Sequence, residues 1–168
     1  MSNQDLIRMR GITKRFGSVL ANDRVDLTVR RGEILSVLGE NGSGKTSLMN
    51  MLAGIYFPDA GHIYLDGQEV VIRSPKDAAR LGIGMIHQHF KLVDVLTAAE
   101  NIILGMEGGL RIDMRAVEND IRALSEKYGF SIEPRRKIYE MSVSQKQTVE
   151  IVKMLYRGAN ILILDEPT

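Results

Sequence analysis

The sequence predicts an α/β protein in which an antiparallel N-terminal part accompanies a parallel sheet, and three observations support this. Residues 34–38 are a short apolar run, of the type found in buried strands, that leads directly into a glycine-rich turn. Ile161–Leu164 is a second run, continuous rather than alternating, as in a parallel sheet covered on both faces. Ahead of both, residues 25–29 alternate between apolar and polar, which is typical of a half-buried strand.

The first 72 residues are predicted to mix antiparallel strands with one strand–turn–helix unit. Residues 6–16 are interpreted as an early strand with weak alternation. After the glycine-rich turn, Leu48, Met49 and Leu52 predict a helix that Gly54 ends. Residues 63–72 are predicted to form a hairpin, because their central Asp-Gly pair suits a tight turn.

After residue 72, helix-capping residues mark where the predicted helices begin and end. Ser74 and Pro75 are the predicted N-cap and first residue of a short helix that Gly82 closes, and residues 83–86 are a candidate strand. Thr97 with Glu100 forms one predicted capping box, and Ser142 with Gln145 forms another. The later helix has a buried face at Val149, Val152 and Leu155.

A longer helix is predicted between the two capping boxes. It begins at Asp113, ends at Gly129, and has an apolar stripe of Val117, Ile121, Leu124 and Tyr128. We therefore expect residues from about 90 to 140 to form a helical subdomain within a single domain that spans residues 1–168.

Composition excludes several classes of function. The net charge of +1 argues against binding nucleic acid through bulk electrostatics. There is no cysteine, so disulfides and thiolate metal sites are excluded. The sequence has neither the layout of a signal peptide at its start nor an apolar stretch of membrane-spanning length, which predicts a cytosolic, soluble chain.

The glycine-rich turn matches the phosphate-binding pattern G-x-x-x-x-G-K-[ST]. Its backbone N–H groups and the positive end of the following helix dipole would form a cradle for anions. Lys45 would reach the β- and γ-phosphates, and the Thr46 hydroxyl would bind Mg²⁺. The predicted nucleotide-binding residues are Gly39, Glu40, Asn41, Gly42, Ser43, Gly44, Lys45, Thr46 and Ser47.

A pair of carboxylates follows the second apolar run. Adjacent residues that leave a strand point in different directions, so Asp165 and Glu166 can hold different roles. One can bind Mg²⁺ while the other orients or deprotonates the attacking water. We assign the metal to Asp165 and the catalytic role to Glu166.

In this order, the motifs resemble those of the ATP-binding subunits of ABC transporters. The resemblance implies a P-loop NTPase core in which Phe16 stacks on adenine and residues 39–46 are the Walker A loop. It implies that Gln88 touches Mg²⁺ and the water and senses the transmembrane partner. Residues 141–145 stand where the family has its signature L-S-G-G-Q, and residues 161–166 stand for the Walker B strand with its catalytic Glu166.

The resemblance also implies partners and location. Two such domains, in tandem or as a homodimer, would bind and hydrolyse MgATP head to tail, with Ser142 acting across the dimer. Transmembrane permease subunits would bind the domain directly, and an extracytoplasmic solute-binding protein would act on it indirectly. The domain would lie at the cytoplasmic face of the membrane and would bind no nucleic acid. Residues 84–90 and 149–153 resemble importers for simple sugars or nucleosides, in which this chain would be the front of the first domain.

Two departures from the family pattern qualify these expectations. Val143 and Ser144 replace two glycines of the signature. The family also places a dimer-contacting loop and a γ-phosphate-sensing histidine after Walker B, and His62, His87 and His89 all precede it. We therefore expect the chain, as an incomplete cassette, to bind nucleotide without hydrolysing it.

Alternatives from other classes predict other sequence features. A soluble ABC-type ATPase acting on DNA or ribosomes predicts a long coiled-coil insertion or a strongly basic face, and the sequence has neither. A P-loop kinase or GTPase fits poorly with adjacent Asp165 and Glu166, and a GTPase predicts an Asn-Lys-x-Asp motif, which the sequence lacks. His87 and His89 are two residues apart, but no third ligand cluster lies near, so they are interpreted as loop residues.

Overall fold

The computed structural model describes residues 5–87, 91–106 and 112–165. The chain divides into two compact units, Met1–Leu81 and Gly82–Thr168. None of the helices within the described ranges is long and apolar enough to cross a membrane.

The N-terminal unit contains a four-stranded antiparallel sheet, in the order β2-β1-β3-β4. Its strands are β1 (Asp5–Phe16), β2 (Val19–Arg30), β3 (Ala60–Leu65) and β4 (Gln68–Val70). The side chains of Ile7, Met9 and Ile12 on β1 are at most 2% exposed and form the core under the sheet. The predicted early strands are confirmed, and residues 25–29 of β2 alternate between half-buried and exposed as expected.

The predicted hairpin is confirmed by the pairing of β3 with β4. Leu65 pairs with Gln68, and the two residues between them, Asp66 and Gly67, have φ values of 48° and 78°. Positive φ at both central residues is the geometry that Asp-Gly turns adopt in hairpins. The second strand lies earlier than the predicted residues 70–72, because the pairing begins at Gln68, directly after the turn, and ends at Val70.

Two helices complete this unit, α1 (Lys45–Leu52) and α2 (Pro75–Arg80). Helix α1 buries Leu48, Met51 and Leu52, and Gly54 follows it with a φ of 73°. Helix α2 begins as predicted, since the hydroxyl of Ser74 accepts a hydrogen bond from the Asp77 backbone N–H at 3.2 Å.

The strand predicted at residues 34–38 does not form. These residues are irregular, and Ile34 and Leu38 are 96% and 89% exposed. A buried parallel strand needs neighbours that pair with its backbone. Among residues 5–87, 91–106 and 112–165, no strand pairs with this run. Its apolar side chains therefore lack a sheet to hold them in place.

The second unit has a parallel pair of strands, β5 (Ile83–Ile86) and β6 (Ile161–Leu164). The predicted strands and their parallel arrangement are confirmed, with Ile83 opposite Ile161. The expected burial of β6 on both faces is wrong, because Leu164 is 44% exposed. In the described part of the chain β6 pairs with β5 alone, so one edge of β6 has no neighbouring strand, whereas β5 is largely buried.

Helices α3 (Ala98–Ile103), α4 (Met114–Tyr128) and α5 (Val143–Tyr156) pack around an apolar core in this unit, with a short 3-10 helix at Ile138–Glu140. Both predicted capping boxes are present. Asp113 and Gly129 cap α4 as predicted, but Tyr128 is 48% exposed and does not join the apolar stripe. The core residues are Ala98, Ala99, Ile102, Val117, Ile121, Ile138, Val149 and Val152.

Candidate nucleotide-binding site

The glycine-rich loop closes around the side chain of Lys45. The Lys45 ammonium donates hydrogen bonds to the carbonyl oxygens of Gly39 at 2.8 Å and Glu40 at 2.7 Å, and lies 3.4 Å from the Ser43 hydroxyl. Lys45 is also the first residue of α1, so its charge stands at the positive end of the helix dipole. The loop thus presents a cation and helix N–H groups together, which is the chemistry that binds phosphate.

Two glycines give the loop its shape. Gly44 has a φ of 86°, and a Cβ there would lie 2.2 Å from the Ala21 carbonyl oxygen. Gly42 has a φ of 83°, but a Cβ there would meet nothing within 4 Å. Gly44 is therefore required for a close backbone approach as well as for its left-handed conformation, whereas Gly42 is required only for the latter.

Asn22 supports the loop from β2, and the sequence analysis did not identify it. Its side chain is 5% exposed, and its Nδ2 donates a hydrogen bond to the Gly44 carbonyl oxygen at 3.2 Å. Its Oδ1 is buried and has no hydrogen-bond partner among the residues that the structure describes. Asn22 and Gly44 are 22 residues apart, and no local pattern links them.

Phe16 is the last residue of β1, and its ring is 39% exposed. The ring makes an edge-on contact with Tyr56, with centroids 4.9 Å apart and planes at 69°. The Lys14 ammonium lies 5.4 Å from the Phe16 centroid. Because an edge-on contact covers only part of a ring, Phe16 retains surface on which a planar group could stack.

Lys14 and Asp59 join the end of β1 to the loop that carries Tyr56. The Lys14 ammonium donates hydrogen bonds to the Asp59 carboxylate at 2.9 Å and to the Phe57 carbonyl oxygen at 2.7 Å. The Arg15 backbone N–H donates to the same carboxylate at 2.7 Å. These hydrogen bonds, led by that from Lys14, hold the pKa of Asp59 below its ordinary value.

In the second unit, Ser142 is the N-cap of α5 as predicted. Its hydroxyl accepts a hydrogen bond from the Gln145 backbone N–H at 3.3 Å, and its own backbone N–H donates to the Gln145 side chain at 3.0 Å. The Ser144 hydroxyl lies 3.0 Å from that of Ser142. Where the family signature has two glycines, this helix start therefore presents an exposed Val143 and the Ser144 hydroxyl.

Asp165 directly follows β6, and its backbone N–H donates to the Ile86 carbonyl oxygen at 3.1 Å. The other strand-end residues, Gln88 and Glu166, lie outside the described residues. Thr46 is the second residue of α1 and is exposed, Asn41 lies in the loop between Glu40 and Ser43, and Ser47 is the third residue of α1. The roles of these residues remain predictions.

Glu150 is another residue that the sequence analysis missed. It is 6% exposed on α5, and its carboxylate accepts a hydrogen bond from the Lys91 backbone N–H at 3.0 Å. This contact fixes the chain three residues beyond Gln88. A buried carboxylate on a helix gives no periodic signal in the sequence, because its partner is a backbone group 59 residues away.

A mixed α/β fold with a glycine-rich loop closed by its own lysine defines a P-loop protein. Residues 22–168 match the ABC transporter family, and the chain belongs to that family.

The chain is similar to the nucleoside import ATP-binding protein NupA of Lactococcus lactis subsp. cremoris, at 52% identity over all of the chain and 34% of the relative. It is also similar to the ribose import ATP-binding protein RbsA 1 of Rubrobacter xylanophilus, at 48% identity over 97% of the chain and 33% of the relative. The chain therefore spans about a third of the length of these curated relatives. A nucleotide-free ATP-binding cassette from an ABC transporter matches 98% of the chain and 70% of that cassette, with a TM-score of 0.83 at 26% identity.

Proposed function

We propose that the chain is the ATP-binding part of an ABC importer that uses MgATP hydrolysis to take up a nucleoside or a simple sugar. The observation that carries this proposal is the position of the Lys45 ammonium, 2.7–2.8 Å from two carbonyl oxygens of the loop at the start of α1. The family and the names of the two relatives support the importer class.

The phosphate groups of ATP would bind at the N-terminus of α1. Neutral carbonyl oxygens hold the Lys45 ammonium in the described structure, and an anionic phosphate oxygen is a stronger partner for it. The helix N–H groups that follow Gly44 add donors at the positive end of the helix dipole. The loop therefore binds the charged part of the nucleotide whatever its base.

The side chains that the resemblance assigns to the metal suit Mg²⁺ in their chemistry. Thr46 offers a hydroxyl, Asp165 a carboxylate and Gln88 an amide oxygen, and these are ligand types that Mg²⁺ prefers. When bound, Mg²⁺ neutralises part of the phosphate charge. Glu166 would accept a proton from the attacking water, and Gln88 would orient that water.

The remaining assignments concern the assembled transporter. Ser142 and the start of α5 would contact the γ-phosphate held by a second ATP-binding domain, because a helix N-terminus and a hydroxyl O–H can both donate hydrogen bonds to an anion. Permease subunits in the membrane would bind the domain from the membrane side, and a solute-binding protein would act through them. The domain would work at the cytoplasmic face, without nucleic acid.

A titration of the chain with ATP tests the proposal. Lys45→Ala removes a charged partner of the phosphates, worth about 1.5–3 kcal/mol, so the dissociation constant should rise roughly 10- to 150-fold. Isothermal calorimetry measures this, with Lys76→Ala on the exposed part of α2 as the control. Equal affinities for ATP in wild type and Lys45→Ala would refute the assignment of Lys45 to phosphate binding.

A further inference from the structure

Two aromatic side chains from distant parts of the chain meet on the surface of the N-terminal unit. The rings of Phe16 and Tyr56 have centroids 4.9 Å apart, and the two residues are 39% and 37% exposed. Large apolar side chains are usually buried, so an edge-on aromatic pair left more than a third exposed needs a reason. The proposed base contact of Phe16 does not by itself account for Tyr56.

Tyr56 is held in place at both ends of its loop. The backbone N–H groups of Ile55 and Tyr56 donate to the Asn50 carbonyl oxygen of α1, at 2.9 Å and 3.2 Å. On the other side, the Asp59 N–H donates to the Thr13 carbonyl oxygen at 2.9 Å. The loop is therefore attached to the phosphate-loop helix and to β1, and its backbone holds the Tyr56 ring beside Phe16.

Strand β2 connects the aromatic pair to the phosphate loop. Phe16 pairs with Val19, and β2 runs from there to Asn22, whose side chain contacts the Gly44 carbonyl oxygen. Three residues of strand span about 10 Å. A planar base on Phe16 and a phosphate at Lys45 can therefore belong to one nucleotide.

We propose that Tyr56 is a positioning residue for the nucleotide base. Its ring supports the Phe16 ring from the side and holds that ring in the orientation that stacks on the base. The Lys14–Asp59 ion pair bonds to the backbone of the residues next to them, Arg15 and Phe57. The inference rests on the proposed nucleotide-binding function and adds a residue that acts on the base and not on the phosphates. Aromatic stacking tolerates any base with a π face, so the pair provides affinity rather than selection among bases.

Two ligands separate a role in base positioning from a role in folding. ATP carries a base, whereas inorganic tripolyphosphate carries only phosphates. We expect Tyr56→Ala to weaken ATP binding about three- to tenfold, as for loss of an aromatic pair, and to leave tripolyphosphate binding within about twofold. Tyr56→Phe should retain wild-type affinity for ATP, because the ring and not the hydroxyl makes the contact. Tyr56→Leu keeps apolar volume without the ring and should resemble the alanine variant.

Calorimetric titration of each variant with ATP and with tripolyphosphate distinguishes base positioning from a role in folding. Equal losses for ATP and tripolyphosphate in Tyr56→Ala, or no loss for ATP, would overturn the inference. So would a failure of Tyr56→Phe to restore ATP binding. If Phe16→Ala leaves ATP affinity unchanged while Lys45→Ala lowers it at least tenfold, the aromatic support is refuted and the phosphate site stands. If Lys45→Ala also binds ATP normally, the proposed function itself is refuted.

Discussion

Replacing Gly44 with alanine tests whether the phosphate loop is shaped by contact with β2. The new Cβ would lie 2.2 Å from the Ala21 carbonyl oxygen and 2.9 Å from the Asn22 side-chain nitrogen. A backbone carbonyl cannot rotate away as a side chain can, so the loop or β2 must shift by about 1 Å, a distortion comparable to overpacking a core. The φ of 86° adds the cost of a left-handed alanine.

The magnitude of the effect follows from these two contributions. The left-handed conformation costs about 1–2 kcal/mol, and overpacking adds about 1–3 kcal/mol. The free energy of unfolding should therefore fall by roughly 2–5 kcal/mol. For a chain of 168 residues this corresponds to a decrease in Tm of about 4–20 °C. The affinity for ATP should fall as well, because the distortion lies at the start of α1.

Gly42→Ala is the matched control, because Gly42 has nearly the same φ, 83°, and open space around it. It should cost only the conformational part, about 1–2 kcal/mol. Urea unfolding of the two variants, followed by far-UV circular dichroism, measures the difference. If Gly44→Ala is no less stable than Gly42→Ala, the close approach of the loop to β2 is not a constraint on the fold and the reasoning fails.

Three other substitutions test separate parts of the account. Asn22→Leu removes the hydrogen bond to the Gly44 carbonyl oxygen, so ATP affinity should fall about 2- to 10-fold. It also removes the buried Oδ1 that has no partner among the described residues, so the free energy of unfolding should not fall. Unchanged affinity by calorimetry would contradict this. In a full-length transporter that contains this domain, Glu166→Gln should slow phosphate release about 10²–10⁴-fold while ATP stays bound. Phosphate release at the wild-type rate would refute the general-base role. The hydrogen bond from the Ser74 hydroxyl lowers the pKa of Asp77. The ionised carboxylate therefore stabilises the fold above its unfolded-state pKa, and this stabilisation is lost as the pH falls through the lower folded-state pKa. Between about pH 5 and 2, the unfolding free energy of the wild type should therefore decline more steeply than that of Asp77→Asn, and parallel declines would be the contrary result.

Local signals predicted the local structure well. The N-caps at Ser74, Thr97 and Ser142 were predictable because a cap depends on side chains within three residues of the helix start. The Asp66–Gly67 turn was predictable because few residue pairs tolerate positive φ at both positions. The residues that bind the Lys45 ammonium all lie within the glycine-rich motif itself, so that part of the site was also predictable.

Features that depend on distant neighbours were not predictable. Residues 34–38 carry an apolar pattern suited to a strand, but a strand also needs partners for its backbone, and the pattern does not supply them. The contacts of Asn22 with Gly44 and of Tyr56 with Phe16 join residues 22 and 40 positions apart. Each is a single side chain without periodicity, so only the folded sheet reveals it.

The central claim is that the loop from Gly39 to Ser47 binds the phosphates of ATP. Chemical-shift mapping of an isotope-labelled chain by NMR tests this directly, because the amide protons of Gly42, Gly44 and Lys45 would become donors to phosphate. On addition of ATP, and equally of tripolyphosphate, the account predicts that the largest amide shifts fall within this loop and the first turn of α1. Saturable ATP binding with the largest shifts elsewhere, and with these amides unchanged, would contradict it.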